Sequence, residues 1–361
     1  MLWFARYWTY WPRTYVTVGL AAFVLAAVAT PIAIFILRRL NIMDPVRAGK
    51  LHTKPVPRGG GMVIFGAFAV AVVLPGYRST AFNGVLLGAL ICTAVGALDD
   101  LLGGRIPGVF KLVVLMAVTL ILEQFGVRLN VFKFGPLDTL FTMLWIVGVT
   151  SAFNGIDNMD GLASGIAAIV ASMYLYIAVQ DWLTVRLVTE LSWFGMLAAG
   201  LIGANLGFLI YNFKPARIFM GDSGSFFLGY TLAALGVMGE WTENRIVSCT
   251  IPVLLLGVPL FDFAYILIAR VALGKTRSVG TVINHCAMDH LSHRLTWMGF
   301  SQRQAVLFIY LICVALGASG ILIRNSVNYV DSTLGIIQGL SILLIVAILM
   351  RSANRRHGSR G

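Results

Sequence analysis

Apolar runs of about 20 residues recur along this chain from Tyr15 to Met350, with no long polar interval between them. A helix built from such a run satisfies its own backbone polar groups and can therefore cross the hydrocarbon core of a bilayer. The charged fraction is 12%, about half the ~25% usual in soluble domains, so most of the surface is expected to face lipid. A soluble enzyme is excluded. The four cysteines form no C-x-x-C pair, which removes a zinc knuckle or a disulfide framework from consideration.

Clear candidate spans cover roughly 15–37, 82–98, 161–179, 191–211, 246–269, 304–323 and 333–350. Shorter or glycine-rich runs near 60–75, 109–125, 139–153 and 224–239 bring the total to eleven. The first run follows Arg6 and Arg13 as a signal peptide would, but it is too long for one and is read as a retained span. The expected fold is an all-α, polytopic membrane helix bundle of about eleven helices, forming a single transmembrane catalytic domain over residues 1–361. With eleven spans, nineteen of the 27 Lys and Arg fall on one side and eight on the other. The positive-inside rule makes the richer side cytoplasmic, with the N-terminus outside and the C-terminus inside, in a multi-pass protein of the cell membrane. Positive charge scattered through short juxtamembrane loops excludes a nucleic-acid binder.

The acids sort as well. Asp44, Asp99, Asp100, Asp157, Asp160, Asp222 and Asp289 fall on the cytoplasmic side, whereas Glu123, Glu190, Glu240 and Glu243 lie at or beyond the outer boundary. Short carboxylates gathered at helix ends suit a hard, oxygen-ligated cation or a phosphate site.

Five loops on that side carry the polar residues. The first, Asp44 to Gly61, combines basic residues with Gly59-Gly60-Gly61 before a helix, where free N–H groups could meet phosphate; an ordinary juxtamembrane cluster would look the same. The second opens on Asp99-Asp100, a like-charged pair that is costly at a membrane boundary without a cation or proton between its members. In the third, Asn154, Asp157 and Asp160 are spaced i, i+3, i+6 and would share one side of a helix if the segment is helical. The fourth holds Asp222 between Gly221 and Ser223, ahead of a helix whose first N–H groups would be free for an anion. The fifth carries His285, Asp289, His290, His293 and Arg294, better suited to phosphate recognition than to zinc.

The strings DPVRAGKLHTKPVPRGGG, GALDDLLGG, NGIDNMDGLASG, NFKPARIFMGDSGS and DHLSHRL stand in the order and spacing of one family. From Asp44 to Leu295 the chain resembles the polyprenyl-phosphate N-acetylhexosamine-1-phosphate transferases (glycosyltransferase family 4). The resemblance implies transfer of a sugar-1-phosphate, GlcNAc-1-phosphate above all, from a UDP-sugar to a polyprenyl phosphate with release of UMP. It further implies Mg²⁺, with Mn²⁺ able to replace it, held by Asn154 and Asp222. Asp99 and Asp100 would act on the lipid phosphate, and Asp157 would lie near metal and phosphates. Lys50, Asp160, Asn212 and Phe219 would line the uridine side, while His290, His293 and Arg294 would contact the sugar or its phosphate. Expected partners are a UDP-N-acetylhexosamine, a polyprenyl phosphate, the membrane and, as an option left open, a second copy in a homodimer.

The chain departs from the family pattern at Ser151, at Asn158-Met159 where Gly is usual after the first Asp, and at Ser292, often a third histidine. DHLSHRL lacks the triple-His string of the phospho-N-acetylmuramoyl-pentapeptide branch, which favours a simpler UDP-sugar. That branch is the nearest alternative. A transporter is the alternative of another class, disfavoured because the carboxylates gather at one face and no internal repeat is visible. Pro259 and Asp262 within one run predict a broken helix beside a groove for the polyprenyl tail.

Overall fold

The computed structural model describes residues 10–45, 54–185, 191–239, 241–242, 245–272, 290–326 and 328–358; Lys50, His285 and Asp289 lie outside them. The fold is helical. Among the described residues thirteen helices run in chain order: α1 (Tyr10–Arg39), α2 (Gly61–Val73), α3 (Thr80–Leu101), α4 (Gly108–Gln124), α5 (Gly135–Ile156), α6 (Leu162–Val185), α7 (Leu191–Asn212), α8 (Asp222–Met238), α9 (Arg245–Leu255), α10 (Gly257–Ala272), α11 (Leu291–Trp297), α12 (Gln302–Arg324) and α13 (Tyr329–Gly358). Two short antiparallel strands, β1 (Met43–Asp44) and β2 (Val56–Pro57), close the first loop.

Each of the eleven apolar runs coincides with helix. Among the described residues seven helices are individually long and apolar enough to cross a membrane, and α9 with α10 make an eighth if taken as one bent span. The 13-residue α2 rises only ~20 Å, short of the ~30 Å hydrocarbon core. The run 246–269, read as one span, breaks at Leu256 by 86°. Pro259 explains the break: it has no N–H to continue the α9 ladder and sits where α10's first-turn donors are unpaired anyway.

Helix α8 is the axis of the bundle, buried at every position from Ser223 to Val237. It packs against α2, α3, α5 and α6. Small residues permit this closeness: a Cβ on Gly61 would lie 1.9 Å from the backbone nitrogen of Gly224, and one on Gly96 would lie 2.3 Å from the Asp222 carbonyl oxygen. By contrast α1 and α13 expose rows of large apolar side chains, among them Val16, Leu20, Val28, Leu340, Leu344 and Ile348. A helix buried on all sides at the centre, with apolar faces turned outward at the periphery, is the layout of a multi-pass membrane protein. It also sets the polar N-terminus of α8 among the ends of α2, α3, α4 and α5.

Candidate active site

Asp222 opens α8 and is the centre of the site. Its Oδ1 accepts from Arg58 Nη2 at 2.8 Å and its Oδ2 from Lys111 Nζ at 2.5 Å. Lys111 also reaches Asp99 Oδ2 at 2.6 Å, and Arg58 Nε reaches Asp100 Oδ1 at 2.8 Å. Two cations thus tie three carboxylates from α3 and α8. Burial pushes the Asp222 carboxyl upward, but Lys111 and Arg58 outweigh it and hold the group below the usual carboxylate range.

The adjacent aspartates separate into different roles. Asp100 receives the backbone N–H groups of Asp222 and Ser223, at 2.9 and 3.0 Å, and the Ser223 hydroxyl at 2.7 Å. It is the anchor of α8, and Gly221 (φ +74°) must be glycine because a Cβ there would come within 2.4 Å of the Asp100 carboxylate. Asp99 instead holds the Ile106 N–H at 2.7 Å with one oxygen and Lys111 with the other.

This geometry corrects two sequence expectations. The N–H groups at the start of α8 are not open to an outside anion, since Asp100 already fills that place. Nor are those of the glycine run open: Gly60 and Gly61 donate to the Phe219 and Met220 carbonyls, both at 2.9 Å. A segment buried against backbone satisfies its donors internally, and here the pairing delivers Arg58 to Asp222.

The third loop is also corrected. Helix α5 ends at Ile156, Asp157 is its cap residue, and turns lead to α6 at Leu162, so Asn154, Asp157 and Asp160 do not share one helix face. Asn154 Nδ2 donates to Ser225 Oγ at 2.9 Å, one turn along α8 from Asp222. Asp157 has a carboxyl pushed up to about 7, first by burial and then by the charge of Asp222, with Asp100 and Asp160 adding to it against Arg58. Asp160 accepts the Ala216 N–H at 3.0 Å and faces Lys214 Nζ at 3.4 Å.

Asn212 holds two loops together. Its Oδ1 accepts from the Gly161 N–H and Ser164 Oγ, both at 3.1 Å, and its Nδ2 donates to the Ile218 carbonyl at 2.9 Å. Phe219 pairs through its backbone with Pro57 at 2.8 Å. In the last motif, His290 Nδ1 lies 2.7 Å from Asp262 Oδ2, while Ser292 Oγ donates to Asn158 Oδ1 at 2.5 Å. The two departures Asn158 and Ser292 are therefore one contact, which fastens α11 to the third loop. His293 is buried, and Arg294 is directed into the bundle, donating to the Met350 carbonyl at 3.1 Å with its guanidinium 5.0 Å from the Tyr265 ring centre.

Sequence reasoning missed Lys111 as a site residue, since it was counted only among topological charges, and it read Arg58 only as part of a first-loop basic cluster that could meet phosphate, not as a partner of Asp100 and Asp222. For Lys111 the available signal was a lone Lys at the start of an apolar helix opposite Asp99-Asp100.

Among the described residues no three His, Cys, Asp or Glu side chains converge into a ready-made metal cage. The donor set still fits a hard divalent ion that takes its other ligands from substrate phosphates. Among the described residues, Asp99, Asp100 and Asp222 are bound by Arg58 and Lys111, and the raised Asp157 carboxyl registers the crowding of carboxylates beside them.

The family model described as Glycosyl transferase family 4 matches residues 82–240, which hold the aspartate pair, the third loop and Asp222. The chain is 33% identical over 334 residues, 90% of its length and 87% of the relative's, to a protein of Bacillus subtilis named probable undecaprenyl-phosphate N-acetylglucosaminyl 1-phosphate transferase. The chain belongs to glycosyl transferase family 4. It is also similar to the decaprenyl-phosphate N-acetylglucosaminephosphotransferase of Mycobacterium tuberculosis, at 29% identity over 94% of this chain and 90% of that one. A phospho-N-acetylmuramoyl-pentapeptide-transferase of Desulforudis audaxviator is 30% identical, covering 83% of this chain and 95% of its own. In this cluster Lys111, Arg58 and Asp222 form the electrostatic core.

Proposed function

We propose that this family-4 protein transfers a sugar-1-phosphate, GlcNAc-1-phosphate above all, from a UDP-sugar to a polyprenyl phosphate such as undecaprenyl phosphate, releasing UMP. The observation that carries the reading is the Asp222 carboxylate held between Arg58 and Lys111 at the end of a buried membrane helix, beside the paired Asp99 and Asp100. The names of the B. subtilis and M. tuberculosis relatives support GlcNAc as the sugar.

In the reaction, an oxygen of the lipid phosphate bonds to the sugar-linked phosphorus, and the bond from that phosphorus to the UMP oxygen breaks. A phosphate monoester with a second pKa near ~6 is already largely ionised, so positioning and charge neutralisation dominate over base catalysis. Asp222 and Asn154 would hold Mg²⁺ or Mn²⁺, which when bound screens the pyrophosphate of the nucleotide. Lys111 lies between Asp99 and Asp222 and is placed to meet phosphate oxygens of the lipid and the nucleotide sugar. Of the aspartate pair, Asp99 is assigned to the lipid phosphate, because Asp100 is committed to α8. His290 is assigned to the sugar or its phosphate, Asp160 and Phe219 to the uridine side, and Arg294 to holding α11 in the bundle.

The test is UMP release by purified protein with Mg²⁺, undecaprenyl phosphate and a panel of UDP-sugars including the muramoyl-pentapeptide. Release with UDP-GlcNAc, abolished in Asp222→Asn, is expected. Turnover of the muramoyl substrate alone would reassign the sugar, and no UMP from any sugar in detergent and bilayers would overturn the reading.

A further inference from the structure

Asp262 is the polar residue of the broken span that the reaction does not use. The sequence sets it beside a lipid groove, but its side chain is only 2% exposed and faces α11. Both carboxylate oxygens are engaged: Oδ1 accepts the Leu291 N–H at 2.7 Å, and Oδ2 lies 2.7 Å from His290 Nδ1. The opposite side of the ring is also bounded. A Cβ on Gly155 would come within 3.2 Å of His290 Cε1, so the imidazole stands against the last turn of α5, next to Asn154. On the other flank, Ser292 is tied to Asn158, whose Nδ2 donates to the Gly155 carbonyl at 2.9 Å.

We propose that Asp262 is a positioning residue for catalysis, which fixes the proton of His290 on Nδ1 and presents Nε2, the nitrogen turned from Asp262, as a hydrogen-bond acceptor to a hydroxyl of the transferred sugar. The inference rests on the transferase reading for what His290 contacts. A carboxylate accepts hydrogen bonds and donates none, so it selects Nδ1–H and leaves the other nitrogen for the substrate. The 86° bend is what allows this: a straight span through Pro259 would carry the second turn of α10 past α11, whereas the bend brings Asp262 beneath it. Partners that orient a functional histidine in this way cost about 10- to 100-fold when lost, by analogy with those of metal-bound imidazoles.

Two measurements test it. In protein labelled with ¹⁵N-histidine, the His290 ring, assigned by its loss in His290→Gln among only five imidazoles, is expected to carry its proton on Nδ1. A neutral ring protonated on Nε2 would overturn the proposal whatever the activity. In the UMP-release assay, Asp262→Asn keeps an acceptor for one donor and lacks the second; about a 10- to 100-fold fall in kcat is expected, with KM for UDP-GlcNAc and lipid phosphate within about two-fold. The double variant Asp262→Asn/His290→Gln should be no slower than His290→Gln alone. An unchanged kcat, or losses that multiply in the double variant, would overturn it. Should wild-type protein release no UMP, the transferase reading falls, while the ring tautomer still decides whether Asp262 sets His290.

Discussion

Lys111 bonds two carboxylates at once and sits 5.7 Å from the Phe226 ring centre, so its ammonium is held in one place before any phosphate arrives. Pre-set charge is the form of stabilisation that phosphoryl transfer uses most. Lys111→Met is expected to lower kcat by on the order of 100-fold in the UMP-release assay, with Lys111→Arg recovering only part because a longer, planar guanidinium does not place its charge at the same point. Asp157 gives a pH prediction. Its carboxyl rises from 3.8 to about 7 on folding, so the folded state binds the proton more tightly than the unfolded state. The stability this contributes is complete below about pH 4 and is lost as pH rises toward 7. In metal-free buffer the thermal midpoint should therefore fall between pH 5 and 7.5, and Asp157→Asn should flatten that slope. A steeper slope in the variant would contradict the assignment. Residue identity told much here: the aspartates were legible because acids are costly beside lipid-soluble runs. Their partners were not, since nothing local links Arg58 to a carboxylate 164 positions away.

At the scale of elements, α2 and α8 meet where Gly61 faces Gly224, and that contact sets the height of Asp222. Gly61→Ala forces a methyl into a space 1.9 Å from backbone and should cost about 1–3 kcal/mol of stability together with most of the activity. Gly66→Ala, on the same helix with nothing within 4 Å, should be neutral or slightly stabilising. Thermal melts and UMP release on the two variants separate close approach from helix propensity. The helices themselves were readable as apolar runs, and the break near Pro259 followed from a missing donor. Whether a short run crosses was not readable, because α2 and α8 owe their stability to neighbours rather than to lipid. The small helix α11 likewise has no periodic signal of its own; Asp262, Asn158 and Met350 hold it from three other elements.

On the scale of the whole molecule, the end of the bundle that holds Asp222 also carries Arg38, Arg39, Arg58, Lys111, Lys214 and Arg303, whereas Arg128 and Arg324, the latter paired with Asp181, lie at the other end. The proposed topology, site end cytoplasmic, predicts that a single cysteine at Lys133 is labelled by an impermeant thiol reagent in intact cells and one at Arg105 is not. The reverse pattern would invert the topology. The sequence by itself determined the class of solvent, the approximate helices and the residue types of the site, because the cost of charge near lipid leaves few explanations for a carboxylate. Only the tertiary structure decided which carboxylate does what. Asp99 and Asp100 are chemically alike and adjacent, and they diverge because one meets the N-terminus of α8 and the other meets Lys111. Such distinctions depend on the distances between separate helices, which packing fixes and a linear pattern does not contain.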